Sequence, residues 1–245
     1  MTPLLEIKGV HKNFGGLVAL DGVELALAGG GLACIIGPNG CGKTTLLNVV
    51  SGAFPPDAGG VWFRGEEISG LRPYRIARKG IGRKFQVPGI YPALSAAENL
   101  EVPLIARSGV RQWQNFRHER LSELLTLTRL ANKAGVLAAE LAHGEKQWLE
   151  IGMLLASDAE LLLLDEPTAG MTLTETERTA DLIREISTTT GKAILAIEHD
   201  MNFVRRLDCR VMVMMRGRVF REGSYADVQA DPEVRRAYLG EATTC

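Results

Sequence analysis

The octapeptide Gly37-Pro38-Asn39-Gly40-Cys41-Gly42-Lys43-Thr44 constrains this 245-residue chain more than any other feature. It follows an apolar run, Leu32–Ile36, and precedes a helix-like segment, Thr45–Val50. A strand that enters a glycine-rich turn and leaves as a helix fits G-x-x-x-x-G-K-[ST] and points to an α/β architecture. The spacing has a chemical reason. Glycines let consecutive backbone N–H groups turn inward around phosphates, and the helix that follows adds its positive end. Lys43 brings a point charge to the terminal phosphates, the Thr44 hydroxyl is a candidate Mg²⁺ ligand, and Thr45 completes the cradle. The pattern implies a bound nucleoside triphosphate.

A second segment supplies carboxylates. Leu161-Leu162-Leu163-Leu164 reads as a buried strand that ends in Asp165-Glu166-Pro167. Beside a phosphate loop, Asp165 would hold the Mg²⁺ water shell and Glu166 would orient and polarise an attacking water.

The remaining composition narrows the class. There are 28 Lys+Arg against 29 Asp+Glu, so no whole-molecule field favours polyanions and a general nucleic-acid binder is disfavoured. No run of about 18 apolar residues is present to span a membrane, and the N-terminal residues lack the pattern of a signal peptide. Cys34, Cys41, Cys209 and Cys245 show no C-x-x-C pairing and read as free thiols of a reducing, cytoplasmic compartment.

Short apolar runs alternate with helical patterns along the chain. Near the N-terminus, Leu5–Val10, Val18–Leu27, Leu32–Ile36 and Val61–Arg64 read as hairpin strands separated by glycines. Ala193–Ile197 reads as a buried strand, and Val211–Met215 with Arg218–Arg221 as a hairpin turning at Arg216-Gly217. From Ser95 to Ser157 helical signals dominate, beginning with the capping box Ser95-x-x-Glu98 and the apolar triplet Leu121, Leu124, Leu125. A second box, Thr172-x-x-Glu175, predicts a helix that stops before Gly191, with Ala180, Ile183 and Ile186 on one face.

With Leu141-Ala142-His143-Gly144-Glu145 placed twenty residues ahead of the Leu161 strand, the chain resembles the ATP-binding-cassette ATPases over essentially its whole length. That family carries Leu-Ser-Gly-Gly-Gln there. The resemblance implies one cassette over 1–245: a RecA-like core and an N-terminal antiparallel β-subdomain (1–94 and 158–245), with a helical subdomain inserted at about 95–157. It implies ATP and Mg²⁺ as ligands, and head-to-tail pairing in which the signature of one cassette closes over the nucleotide of another. Phe14 then matches the aromatic that stacks on adenine, with Val18 as its apolar neighbour. Gln86 matches the residue that contacts Mg²⁺ and water and reports to the transport partner, and His199 matches the histidine that contacts the γ-phosphate.

The chain also departs from the family pattern. Ala142 replaces the signature serine, removing a hydroxyl that would reach phosphate across the dimer; His143 and Glu145 add titratable groups beside Gly144, whose backbone N–H can still face phosphate. Thr172 stands where many cassettes carry an aspartate that communicates between the two sites.

The run Gly223–Val228 and the segments after it resemble the ending of ATPases that energise hydrophobic amino-acid uptake. Within that group, Gly82–Gln86, Lys146–Met153 and Ala169–Thr172 resemble the urea and short-amide branch, with branched-chain amino acids as the alternative solute. The partners implied are permease subunits, a second cassette and, indirectly, a solute-binding protein, with the chain peripheral on the inner face of the cell membrane. Arg72, Arg75, Arg78, Lys79, Arg83 and Lys84 form a basic cluster that reads as a solvated face near lipid headgroups. A ribosome- or DNA-remodelling cassette is disfavoured: Lys43 and Leu141 lie 98 positions apart with no sustained heptads between them.

Overall fold

The computed structural model describes residues 3–84, 89–108 and 117–236. Strands β1 (Leu5–Phe14) and β2 (Leu17–Leu27) form an antiparallel hairpin across Gly15-Gly16, and β1 runs four residues past the expected Val10. The next strand, β3 (Leu32–Ile36), leads into helix α1 (Lys43–Val50). Strands β4 (Ala58–Phe63) and β5 (Glu66–Glu67) complete a four-stranded antiparallel sheet in the order β2-β1-β4-β5.

The second sheet is six-stranded and positions the chemistry. Helix α2 (Pro73–Lys79) is followed by β6 (Ile81–Lys84); later come β7 (Leu161–Asp165), β8 (Ala193–Ile197), β9 (Arg210–Met215) and β10 (Arg218–Gly223). The order is β10-β9-β3-β8-β7-β6, parallel throughout except for the β9–β10 hairpin. That hairpin turns where expected, with Arg216 and Gly217 both at positive φ, the geometry whose twist matches paired strands.

Leu32–Ile36 is thus not a hairpin strand but the centre of the parallel sheet. Both of its faces are buried. Ala33 and Ile35 enter the core between the two sheets, which also takes Leu46 and Leu47 of α1, while Cys34 and Ile36 enter the core on the opposite, helical side. β7 divides the same way, Leu161 and Leu163 against Leu162 and Leu164. A strand covered on both faces has no polar alternation to announce its pairing. β6 escapes the sequence pattern altogether, since Ile81-Gly82-Arg83-Lys84 carries a single large apolar side chain.

Helices α3 (Ala96–Ser108), α4 (Arg117–Leu127) and α5 (His143–Ala156) lie between β6 and β7 in the chain. They share a core with α6 (Leu173–Thr190) and α7 (Met201–Leu207). Leu124 and Leu125 are buried and Leu121 partly so. Both expected capping boxes form. Glu98 accepts from Ser95 N and Glu175 from Thr172 N, with the reciprocal bonds to each hydroxyl, and α6 stops at Gly191 with φ +66°. A third box, Ser224 with Asp227, opens α8 (Tyr225–Ala230) and was not anticipated. A short turn of helix, α9 (Pro232–Val234), follows. Among the described residues Cys34, Cys41 and Cys209 are free thiols. Burial pushes Cys34 well up and Cys209 up to about 12, so neither is a ready nucleophile.

Candidate functional site

The sheet's strand order explains why residues far apart in sequence meet. β8 lies between β3 and β7, and Ile35, Ile197 and Asp165 stand level across the three strands. The loops leaving the carboxyl ends of β3, β7 and β8 therefore open on one edge, where ligands of parallel α/β sheets bind. Those loops carry the Gly37–Thr44 turn, Glu166 and His199.

The glycine turn is held close to its surroundings. A Cβ on Gly37 would lie 2.1 Å from Met214 O, and one on Gly42 would lie 2.3 Å from Ala19 O. Gly217 N donates to Cys41 O at 3.0 Å and Asp21 N to Gly217 O at 2.8 Å. The β9–β10 turn and β2 thus brace the back of the loop, a support that no local motif reveals. Lys43, at the first position of α1, is buried, and its ammonium donates to Gly37 O at 2.7 Å and Pro38 O at 2.9 Å. Thr44 is exposed and Thr45 half-buried.

A cleft beside this turn is lined by Asn39, Gly40, Gly42, Lys43, Thr44, Thr45 and Glu166 together with Phe14, Leu17 and Ala19. Phe14 is 40% exposed and packs edge-on against Phe54, with ring centroids 5.3 Å apart. Val18 is exposed and is not part of the lining. Its neighbours Leu17 and Ala19 are, because side chains one position apart on a strand face opposite ways.

Asp165 is buried at the end of β7. Its Oδ2 accepts from Arg83 at 3.1 Å, and its Oδ1 is buried with no hydrogen-bond partner among the described residues. Glu166, the next residue, takes φ +48°, a conformation that costs a non-glycine residue roughly 1–3 kcal/mol and concentrates at functional sites. Its N–H donates to Ile197 O, and its carboxylate lies 3.8 Å from His199 Nδ1. Glu198, fully buried between them, accepts from Thr168 N and Oγ1 and from His199 N. It ties the loop after Glu166 to the loop after β8. The only sequence sign of this role is an acidic residue ending the apolar Ala193–Ile197 run.

The signature segment opens α5, with Ala142 at the N-cap and His143 as the first helical residue. Glu145 Oε2 accepts from Ala142 N at 3.0 Å, and the same carboxylate pairs with Lys133 at 2.6 Å. Its charge is folded back into its own helix end. His143 Nε2 lies 2.9 Å from Ala169 O, and the Glu175 carboxylate lies against Gly144. Hydrogen bonds from Thr172, and further contributions from His143 and the Gly144 backbone, hold Glu175 below the usual carboxylate range. The signature segment is thus docked onto the loop and helix start that follow Glu166. Thr172 itself caps α6.

The basic cluster splits. Arg72, Arg75 and Arg78 are exposed, as a solvated face requires, and Lys79 pairs with Glu66. Arg83 and Lys84 do not belong to that face. Their side chains are 6% and 0% exposed, and each pairs inward, Arg83 with Asp165 and Lys84 with Glu150 at 3.9 Å. Adjacent strand residues point to opposite faces, so the two cations turn into opposite sides of the sheet. Burial pulls the Lys84 ammonium below its ordinary range. Gln86 lies outside the described residues.

Comparison with known proteins agrees with this geometry. A family model described as "ABC transporter" matches residues 20–169, and one described as "Branched-chain amino acid ATP-binding cassette transporter" matches residues 222–243. The chain is 35% identical to the high-affinity branched-chain amino acid transport ATP-binding protein BraF of Pseudomonas aeruginosa, covering 98% of this chain and 99% of that one. Its fold is similar to that of MJ1267, an ATP-binding cassette of an ABC transporter, in its ADP conformation. The TM-score is 0.85 at 30% identity, with 98% and 100% of the two chains covered. The dimeric structure of MJ0796, a bacterial ABC transporter cassette, superposes with a TM-score of 0.78 at 28% identity, over 90% of this chain and 98% of that one. The expected cassette fold is therefore present, and the chain belongs to the ABC transporter family as an ATP-binding, ATP-hydrolysing transporter subunit.

Proposed function

We propose that this chain powers a solute importer of the branched-chain amino-acid class, working as one cassette of a head-to-tail pair on the inner face of the membrane. The observation that carries the catalytic part is the convergence of Lys43, Thr44 and Glu166 on one cleft, with a buried Asp165 Oδ1, unpartnered among the described residues, at the neighbouring strand end. An unsatisfied buried carboxylate oxygen is costly unless something meets it, and together with the Thr44 hydroxyl it suits the oxygen-ligand preference of Mg²⁺. Thr44 and Asp165 would hold the ion, with Gln86 as a third contact. Bound there, Mg²⁺ would neutralise charge on the transferred phosphoryl group.

The chain's own residues divide the remaining work. Phe14 offers a partly exposed ring for the adenine, with Leu17 and Ala19 beside it. The turn from Gly37 to Gly42 aims backbone N–H groups at the phosphates, and Lys43 neutralises them. Glu166 takes the proton of the attacking water, with His199 next to it to contact the γ-phosphate. Ala142, His143, Gly144 and Glu145 form the face offered to the nucleotide of the second cassette. The MJ0796 dimer supports pairing of this kind. Permease subunits would dock on the helical layer, and a solute-binding protein would deliver the solute. Among the described residues no helix is long and apolar enough to cross a membrane, which supports the dependence on separate permease chains.

Two solutes compete. The named relatives and the match over residues 222–243 favour branched-chain amino acids. The segments Gly82–Gln86, Lys146–Met153 and Ala169–Thr172 favour urea or a short amide. Reconstitution with candidate permease subunits and receptor decides between them. Leucine is expected to stimulate ATPase activity over the basal rate, and stimulation by urea alone would transfer the chain to the second class. Stimulation by neither would end both.

The signature gives a further expected result. One half of a capping box already stands at the start of α5, from Ala142 N to Glu145, and alanine cannot supply the other half. Ala142→Ser should add it, for about 1 kcal/mol and a rise in thermal midpoint of about 2–4 °C. The same hydroxyl can accept from its helix and donate to phosphate, so ATP-driven dimerisation should also tighten, by roughly tenfold or more. Calorimetry, and sizing in a hydrolysis-impaired background, measure the two effects. Values equal to the parent in both would remove the argument.

A further inference from the structure

By sequence Arg83 reads as part of a solvated basic face, but its burial beside Asp165 asks for another role. Its guanidinium forks. Nη2 donates to Asp165 Oδ2 at 3.1 Å, while Nη1 donates to Asn48 Oδ1 at 2.6 Å and Ser51 Oγ at 2.9 Å. Asn48 belongs to α1 and Ser51 caps its C-terminal end. A positive charge there also complements the helix dipole. The other end of α1, eight residues and therefore about 12 Å long, begins with Lys43 and Thr44. One planar group thus joins the carboxylate that ends β7 to the helix that presents the phosphate-binding residues.

We propose that Arg83 is the positioning residue of the metal carboxylate: it takes Asp165 Oδ2, anchors it to α1 through Asn48 and Ser51, and leaves Oδ1 as the oxygen available to the ion. The proposal rests on the assignment of Thr44 and Asp165 to Mg²⁺ made above. Its physics is that of a supporting partner fixing the orientation of a metal-binding side chain. Charge alone does not suffice. Lysine would still compensate a buried Asp165, but one ammonium lacks the rigid fork that meets two elements at once.

The test separates orientation from mere stability. Binding of a fluorescent ATP analogue is titrated in excess chelator and again across MgCl₂ concentrations, for the parent, Arg83→Lys, Asn48→Ala/Ser51→Ala and Asp165→Asn. Thermal midpoints are taken in metal-free buffer. Arg83→Lys should bind the analogue in chelator within about twofold of the parent, yet need at least about tenfold more Mg²⁺ for half of the metal-dependent gain. The double alanine variant should move in the same direction by less. A lower midpoint with an unchanged Mg²⁺ requirement, or equal losses with and without Mg²⁺, would make Arg83 a structural residue and overturn the proposal. If the parent shows no Mg²⁺ dependence and matches Asp165→Asn, the metal assignment itself fails, and the proposal falls with it.

Discussion

Glu166→Gln should bind ATP as tightly as the parent while losing about 10²–10⁴-fold in turnover, the usual contribution of a positioned general base. The substitution preserves size and shape, so the cleft that Glu166 shares with Lys43, Thr44 and Thr45 keeps its walls. What disappears is the capacity to take a proton. The backbone of Glu166 sits at positive φ, fixed by its N–H bond to Ile197 O and by the Ala169 N–H bond to its own carbonyl. A strained backbone held from both sides is what a site needs when a side chain must not wander from the reacting atoms. His199 Nδ1, 3.8 Å from the carboxylate, remains beside the amide but cannot reproduce its charge. Fluorescence binding and single-turnover hydrolysis measure the two halves of the expectation. Brisk hydrolysis in Glu166→Gln would assign the proton transfer to another group, and lost ATP binding would make the residue part of the binding surface.

The parts of this site that were legible in the sequence are those whose logic is local. The glycine turn announces itself because backbone conformation, phosphate contact and helix start fall within eight residues. The β7 strand announces itself because a doubly buried strand must be apolar throughout, so the Asp165-Glu166 pair at its end stands out. Capping boxes at Ser95 and Thr172 are readable for the same reason, since donor and acceptor lie three residues apart.

Apart from the Ser224 box, whose Asp227 stands where the usual pattern has Glu or Gln, what was not legible depends on distant partners. Arg83 and Lys84 look like surface cations because nothing nearby shows Asp165 or Glu150 waiting for them, and the strand they end has too few apolar residues to declare itself. Glu145 stands out in the sequence as an added charge in the signature segment, but its hold on Lys133 and Ala142 N is not legible there. Val18 is exposed, one position from the Leu17 and Ala19 that line the cleft. The β1–β2 pairing carries register shifts between Val10 and Lys12 and between Lys12 and Asn13, and a change of one residue exchanges the faces of a strand. Which side chains of β2 meet the cleft is for that reason not legible in the sequence.

The same contrast between local pattern and distant contact separates Gly42, which the motif fixes, from Gly40, which stands at one of its variable positions. Gly42→Ala should weaken ATP binding on the order of 10²-fold, the equivalent of about 3 kcal/mol of strain placed in the loop. Gly42 has φ +105°, and its added Cβ would meet Ala19 O at 2.3 Å and Leu20 Cδ2 at 3.1 Å. Relief requires the turn to move away from β2, whose Ala19 lines the same cleft, so the cost falls on the binding surface itself. Gly42 also precedes the first residue of α1, and a shift there would carry Lys43 and Thr44 with it. Gly40 is different. Its φ of +77° disfavours a side chain, but no heavy atom lies within 4 Å of the position a Cβ would take. Gly40→Ala should therefore incur only the cost of a left-handed alanine, about 1–2 kcal/mol, or roughly a tenfold loss of affinity. Nucleotide titration of the two variants, with thermal unfolding to exclude global collapse, reads the difference. Equal losses would mean that backbone conformation alone selects glycine in this loop. A tenfold gap would show that the close approach of β2, which no stretch of eight residues can reveal, selects it at Gly42.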